Sequence, residues 1–167
     1  AISVDSEPEQ GTSFSILLAA SEAAVRNDDT PADLQVKSDK ADRLKILLIE
    51  DEAVVRDVLS NILIADGYEV EMALEGEQGV NMYIEALKKG HPFQLVISDL
   101  TIPGGMGGKE AVSKILQIDP EAKVIATSGY AMDPIMAQYQ QYGFKGRIAK
   151  PFRFEDIQQE IIRVHNC

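Results

Sequence analysis

The chain has 167 residues, with 27 acidic against 16 basic side chains, a formal net charge of −11 and a single cysteine. At 45% hydrophobic and 26% charged it can bury a sizeable core, and it reads as globular rather than disordered. The acidic surplus argues against binding a phosphate backbone, so no nucleic acid is expected as a partner. The longest apolar runs, such as residues 16–20, fall far short of the roughly 20 residues a membrane helix needs. No signal peptide opens the chain, and no membrane contact is expected. Cys167 has no second cysteine to pair with, which fits a reducing compartment and a cytoplasmic location. The first residue is Ala and the opening reads mid-strand, so a piece of a longer protein is expected.

Three zones separate by pattern. Residues 1–20 read strand, turn, strand: Ile2 and Val4 alternate with polar residues, 7–11 turns, and Phe14, Ile16 and Leu18 alternate again. Such a hairpin is marginal alone in water and should come from a larger sheet or lean on another surface. Residues 21–43 are polar and acidic, with Asn27-Asp28-Asp29-Thr30-Pro31 in the middle, and read as a linker.

From residue 44 to 167 strands and helices alternate. Residues 46–49 form a short continuous apolar run, the mark of a strand buried on both faces. Val54, Val55, Val58, Leu59, Ile62 and Leu63 then follow helical spacing over 53–65, closed by Asp66-Gly67. A strand is predicted at 68–72, a helix at 76–89 and a second buried strand at 93–98, stopping at Asp99. A helix over 109–118, stopped by Asp119-Pro120, leads to a strand at 124–127. Asp133 as cap and Pro134 in the first turn predict a helix over 133–142. A last strand at 146–149 and a helix at 154–164 complete five of each. The expectation is an α/β fold: a doubly wound five-stranded parallel sheet, flavodoxin-like in order 2-1-3-4-5, with helices on both faces.

In such a sheet, ligands bind outside the carboxyl ends of the strands, near the switch point between the first and third. The polar residues gather there. The first strand runs into Glu50-Asp51, the third into Asp99, the fourth into Ser128 and the fifth into Lys150. Three carboxylates on neighbouring strand ends would repel one another and push a pKa upward. A hard divalent cation such as Mg²⁺ answers that charge with oxygen ligands. The plainer reading, that Glu50, Asp51 and Glu52 only cap the next helix, suits one acid better than three beside a lysine.

Leu47-Leu48-Ile49-Glu50-Asp51-Glu52, Leu95-Val96-Ile97-Ser98-Asp99-Leu100-Thr101-Ile102-Pro103, Ala126-Thr127-Ser128-Gly129 and Lys150-Pro151-Phe152 occur in order, each at a strand end. Together they resemble the receiver domain of two-component response regulators. The resemblance implies that Asp99 is the phosphoacceptor, and that Glu50, Asp51, Asp99 and the Thr101 carbonyl serve Mg²⁺. It implies that Ser128 bonds a phosphoryl oxygen, that Lys150 pairs with the phosphate and that the Lys150-Pro151 bond is cis. Without it, Pro151 reads equally as an ordinary helix start. Residues 103–110 and Ser128-Gly129-Tyr130-Ala131 look most like receivers fused to hybrid sensor histidine kinases. Residues 6–14 resemble the last glycine box and final hairpin of a histidine-kinase ATPase domain, with Glu9 where that family usually has Gly. The partners implied are the phosphohistidine domain of a kinase, in the same parent chain, and a histidine phosphotransfer protein downstream. The fragment itself is expected to catalyse only its own aspartyl phosphorylation and dephosphorylation. Arg147 stands where the family carries an inward-swinging Phe or Tyr. An unpaired Arg is costly to bury, so Arg147 is expected to stay exposed, with the signal carried by residues 129–133 and the next helix.

Two rival readings are a haloacid-dehalogenase-like phosphatase, whose motif Asp99-Leu100-Thr101 imitates, and a receiver-like binding domain that takes no phosphate. The first wants a second acid where Thr101 stands and an acidic pair after the lysine rather than at Glu50-Asp51. The second is weakened because every site position is filled. Gly108-Lys109 hints at a phosphate loop, but Pro103 replaces the required Gly and Glu110 the Ser or Thr. His91 and His165 lack partners at metal spacing and read as surface residues.

Overall fold

The computed structural model describes residues 2–7, 11–17, 43–102, 106–129 and 134–167. The chain divides into two units, Ala1–Lys37 and Ser38–Cys167. The expected linker, apart from Arg43, and the expected Asp133 cap lie outside the described residues.

In the first unit, β1 (Ile2–Glu7) pairs antiparallel with β2 (Gly11–Ile16), placing Ile2 opposite Ile16 and Val4 opposite Phe14. Strand side chains alternate, so these four apolar residues share one face of the ribbon. All four are exposed, and across the ribbon the hydroxyls of Ser6 and Thr12 share a hydrogen bond of 2.8 Å.

The second unit runs β3 (Lys45–Ile49), α1 (Ala53–Ala65), β4 (Glu69–Ala73), α2 (Gly76–Lys88), β5 (Leu95–Asp99), α3 (Gly108–Ile118), β6 (Val124–Ser128), α4 (Pro134–Ala137), a 3₁₀ turn (Tyr139–Tyr142), β7 (Gly146–Ala149) and α5 (Phe154–His165). Its sheet has the order β4-β3-β5-β6-β7 with every pair parallel, the doubly wound topology expected. Alternation along the buried strands divides the core in two. Leu47, Ile49, Val96, Val124 and Ala126 meet Val80 and Tyr83 of α2 and Val112 and Ile115 of α3. Ile46, Leu48, Leu95, Ile97 and Ile125 meet Leu59 and Leu63 of α1 and Ile157 and Ile161 of α5. Each fully buried Leu or Ile contributes about 1.5–3 kcal/mol, so the central strands anchor the sheet and fix where their ends lie.

One element differs from expectation. The helix expected over 133–142 is described as four residues of α4 and then, past Gln138 at φ −124° and ψ 31°, the 3₁₀ turn. In a continuous α-helix the Met136 carbonyl would accept the residue 140 N–H. Here the Arg147 guanidinium takes that carbonyl instead and lies 5.5 Å from the Tyr139 ring. The chain tightens to satisfy its remaining groups. Arg147 itself is exposed, as expected.

Candidate functional site

Parallel register brings the polar strand ends together. Ile49 is level with Ser98, so Glu50, the next residue, comes beside Asp99. Asp99 is level with Thr127 of β6, and Ser128 follows. Beyond β7, the Lys150 N–H donates to the Ser128 carbonyl at 2.9 Å, and the Lys150-Pro151 peptide bond is cis.

The Lys150 Nζ donates to Glu50 Oε2 at 2.8 Å and to Asp99 Oδ2 at 2.7 Å. The other oxygen of Asp99, Oδ1, accepts the Thr101 N–H at 3.0 Å and the Thr101 hydroxyl at 3.1 Å. Glu50, Asp51 and Asp99 each offer a carboxylate oxygen, all within 4.8 Å of one another. Glu50 and Asp99 are buried, whereas Asp51 stands at the open side.

Three carboxylates therefore face one ammonium. Burial, together with the Asp99 charge, holds the Glu50 carboxyl above the usual range, against the downward pull of Lys150. Burial works against the Lys150 charge too, but hydrogen bonds to Asp99 and Glu50 outweigh it and raise its pKa. Glu50 Oε1 is buried with no hydrogen-bond partner. Excess negative charge and an unanswered buried carboxylate oxygen fit a hard divalent cation, which takes oxygen ligands and neutralises charge at once.

Of the residues singled out in the sequence, Glu50, Asp51, Asp99, Thr101 and Lys150 gather here. Ser128 is 1% exposed at the end of β6, the strand beside Asp99. His91 and His165 are exposed; His91 lines a cavity of about 620 Å³ with Lys45 and Glu69 at the opposite, amino ends of β3 and β4. Two residues were missed. Gly108, which resembled a failed phosphate loop, opens α3 so close to β5 that a Cβ there would overlap the Asp99 carbonyl oxygen. Arg56 reaches from α1 to the acidic loop. A glycine at a helix start, and an arginine one turn into a helix with no hydroxyl cap, were the available signals.

A family model for the response regulator receiver domain matches residues 46–162. The chemotaxis protein CheY of Bacillus subtilis is 33% identical over 123 residues, 73% of this chain and 98% of that protein. The sensor kinase CckA of Brucella abortus is 32% identical over 158 residues, which is 92% of this chain but only 16% of that kinase. Among solved structures, a CheY-like response regulator receiver domain protein from Methanospirillum hungatei superposes with a TM-score of 0.65 at 27% identity, covering 74% of this chain and 94% of that one.

Proposed function

The chain belongs to the response regulator receiver family, and from that premise we propose that it accepts a phosphoryl group from a kinase phosphohistidine onto Asp99, then relays or stores it. The observation that carries this reading is the Lys150 ammonium held between Glu50 Oε2 and Asp99 Oδ2, with Asp51 completing an acidic cluster at the carboxyl end of the sheet. Thr101 holds Oδ1 with two hydrogen bonds, whereas Oδ2 has only the mobile Lys150 ammonium, which makes Oδ2 the attacking oxygen. Attack on phosphorus forms an O–P bond and breaks the P–N bond; the imidazole nitrogen leaves with the electron pair and gains a proton from solvent. Asp99 loses its carboxylate charge in becoming the acyl phosphate, so Lys150 turns to the phosphoryl oxygens. Ser128 donates to one of those oxygens. Glu50, Asp51, Asp99 and the Thr101 carbonyl would hold Mg²⁺, which supplies further neutralisation of the transferring phosphoryl group.

The wider assignment follows the same premise. Residues 1–20 are the last hairpin of a kinase ATPase domain, 21–43 a linker and 44–167 the receiver, in a cytoplasmic hybrid sensor kinase. Its support is the match to the Brucella kinase, which spans 92% of the chain and so extends beyond the receiver. The phosphodonor is then a histidine of the parent, and a histidine phosphotransfer protein is the onward acceptor.

The test is incubation of the chain with acetyl phosphate and Mg²⁺, followed by intact mass and peptide mapping. One phosphoryl group on Asp99 is expected, lost in Asp99→Asn and in EDTA. Label on His91, His165 or Ser128, or uptake undiminished without metal, overturns the assignment.

A further inference from the structure

The loop from β3 to α1 consists of Glu50, Asp51 and Glu52. Its three carbonyls need donors, and a loop that presents metal-binding carboxylates must hold its backbone still. The Glu52 carbonyl, at the N-cap of α1, accepts the first intrahelical hydrogen bond, whereas those of Glu50 and Asp51 lie outside the helix. One residue answers all three carbonyls. Arg56 donates from Nη1 to the Glu50 carbonyl at 3.0 Å and to the Asp51 carbonyl at 3.1 Å. Its backbone N–H takes the Glu52 carbonyl at 2.9 Å. An Nη nitrogen carries two hydrogens, so this arm of the guanidinium is spent entirely on the acidic loop.

We propose that Arg56 is a positioning residue for the divalent cation, and that by fixing the Glu50–Asp51 backbone it makes the site prefer Mg²⁺ to the larger Ca²⁺. The proposal rests on reading Glu50, Asp51 and Asp99 as a metal site. Mg²⁺ demands near-ideal octahedral geometry at about 2.0–2.1 Å, whereas Ca²⁺ accepts six to eight oxygens at about 2.3–2.6 Å in loose arrangements. Carboxylates on a stiff loop satisfy the first demand. Once the guanidinium is removed, the carbonyls of Glu50 and Asp51 are free to turn, and extra oxygens with loose geometry favour the larger ion. Loss of Arg56 therefore costs Mg²⁺ more than Ca²⁺. A residue that merely anchored α1 would weaken both ions alike.

The test titrates the metal-free chain with MgCl₂ and with CaCl₂ by calorimetry, in wild type, Arg56→Met and Arg56→Lys. Methionine keeps the apolar stem without donors, and lysine restores an ammonium able to serve both carbonyls. Arg56→Met is expected to weaken Mg²⁺ binding about tenfold and Ca²⁺ binding by less than about threefold, and Arg56→Lys to return the Mg²⁺/Ca²⁺ ratio to within about threefold of wild type. In the metal-free protein, the amide resonances of residues 50–52 are expected to broaden in Arg56→Met alone. Should Arg56→Met not fold, Arg56→Leu, which also lacks a donor, carries the same expectation for the ratio. A wild type that binds Mg²⁺ beside a variant with an unchanged ratio overturns this proposal alone. A wild type that binds neither ion overturns the metal-site reading and this proposal with it.

Discussion

Adding one methyl group at Gly108 sets two effects against each other. Alanine is the better helix former by about 0.8–1.0 kcal/mol in a helix interior, and by less in a first turn, where Gly108 stands. Against that gain, the Cβ would overlap the Asp99 carbonyl oxygen and come within 2.9 Å of Ser98 Oγ. The obstacle is backbone of a strand that is buried along its whole length, not the tip of a flexible side chain, so it cannot move aside cheaply. Overpacking of this kind costs about 1–3 kcal/mol, and the net expectation is a loss of about 1–2 kcal/mol. The same displacement moves the Asp99 carboxylate, the proposed phosphoacceptor, and misplacement on the ångström scale lowers a rate by up to about 100-fold. Urea unfolding followed by circular dichroism measures the first quantity, and acetyl phosphate uptake by intact mass the second. Gly79→Ala in α2 is the comparison, because its Cβ meets only side-chain atoms, Cδ1 and Cγ1 of Ile49, rather than strand backbone, and it should cost less. A Gly108→Ala variant as stable as wild type, with an undiminished phosphorylation rate, would refute the close approach of α3 to Asp99.

Two further predictions concern the β7 edge. Glu160 accepts the Arg147 N–H at 2.8 Å and pairs with Arg163 at 2.7 Å. Burial works to raise its pKa, but Arg163 and the Arg147 N–H outweigh it, so the carboxyl is held below the usual range. A depressed folded pKa adds stability that is present above the unfolded value and is lost as pH falls through the folded one. Glu160→Gln should therefore lower stability by about 1 kcal/mol at neutral pH, and the gap should close below the ordinary glutamate range. A gap constant from about pH 7 to about pH 2 in urea unfolding would contradict this. Arg147→Ala frees the Met136 carbonyl and removes the cation from Tyr139. Amide exchange over residues 134–142 should then quicken, and its change on adding beryllofluoride should shrink; a variant that keeps the full change makes Arg147 a bystander.

The residues that gather at the candidate site were legible in the sequence because each is local to a strand end. A run such as Ile46–Ile49 identifies a strand buried on both faces, and whatever polar residue follows it must emerge at the carboxyl edge. Glu50, Asp99 and Lys150 needed only the strand order to be brought together, and that order follows from right-handed crossovers. The groups that hold the site were not legible, for one shared reason: they act on backbone atoms. Arg56 serves the carbonyls of Glu50 and Asp51, and Gly108 makes room for the carbonyl of Asp99; away from the site, Arg147, singled out in the sequence only for the ring it replaces, likewise claims the carbonyl of Met136. A carbonyl is present at every position, so no spacing of residue types marks which one is taken. The short α4 illustrates this, since helical periodicity through Met136 and Tyr139 is intact while the helix stops at Ala137, where a cation eleven residues along the chain takes the Met136 carbonyl. Side-chain chemistry thus marks the candidate site around Asp99, and the contacts to backbone carbonyls bear on how firmly its loops and the neighbouring helix are held.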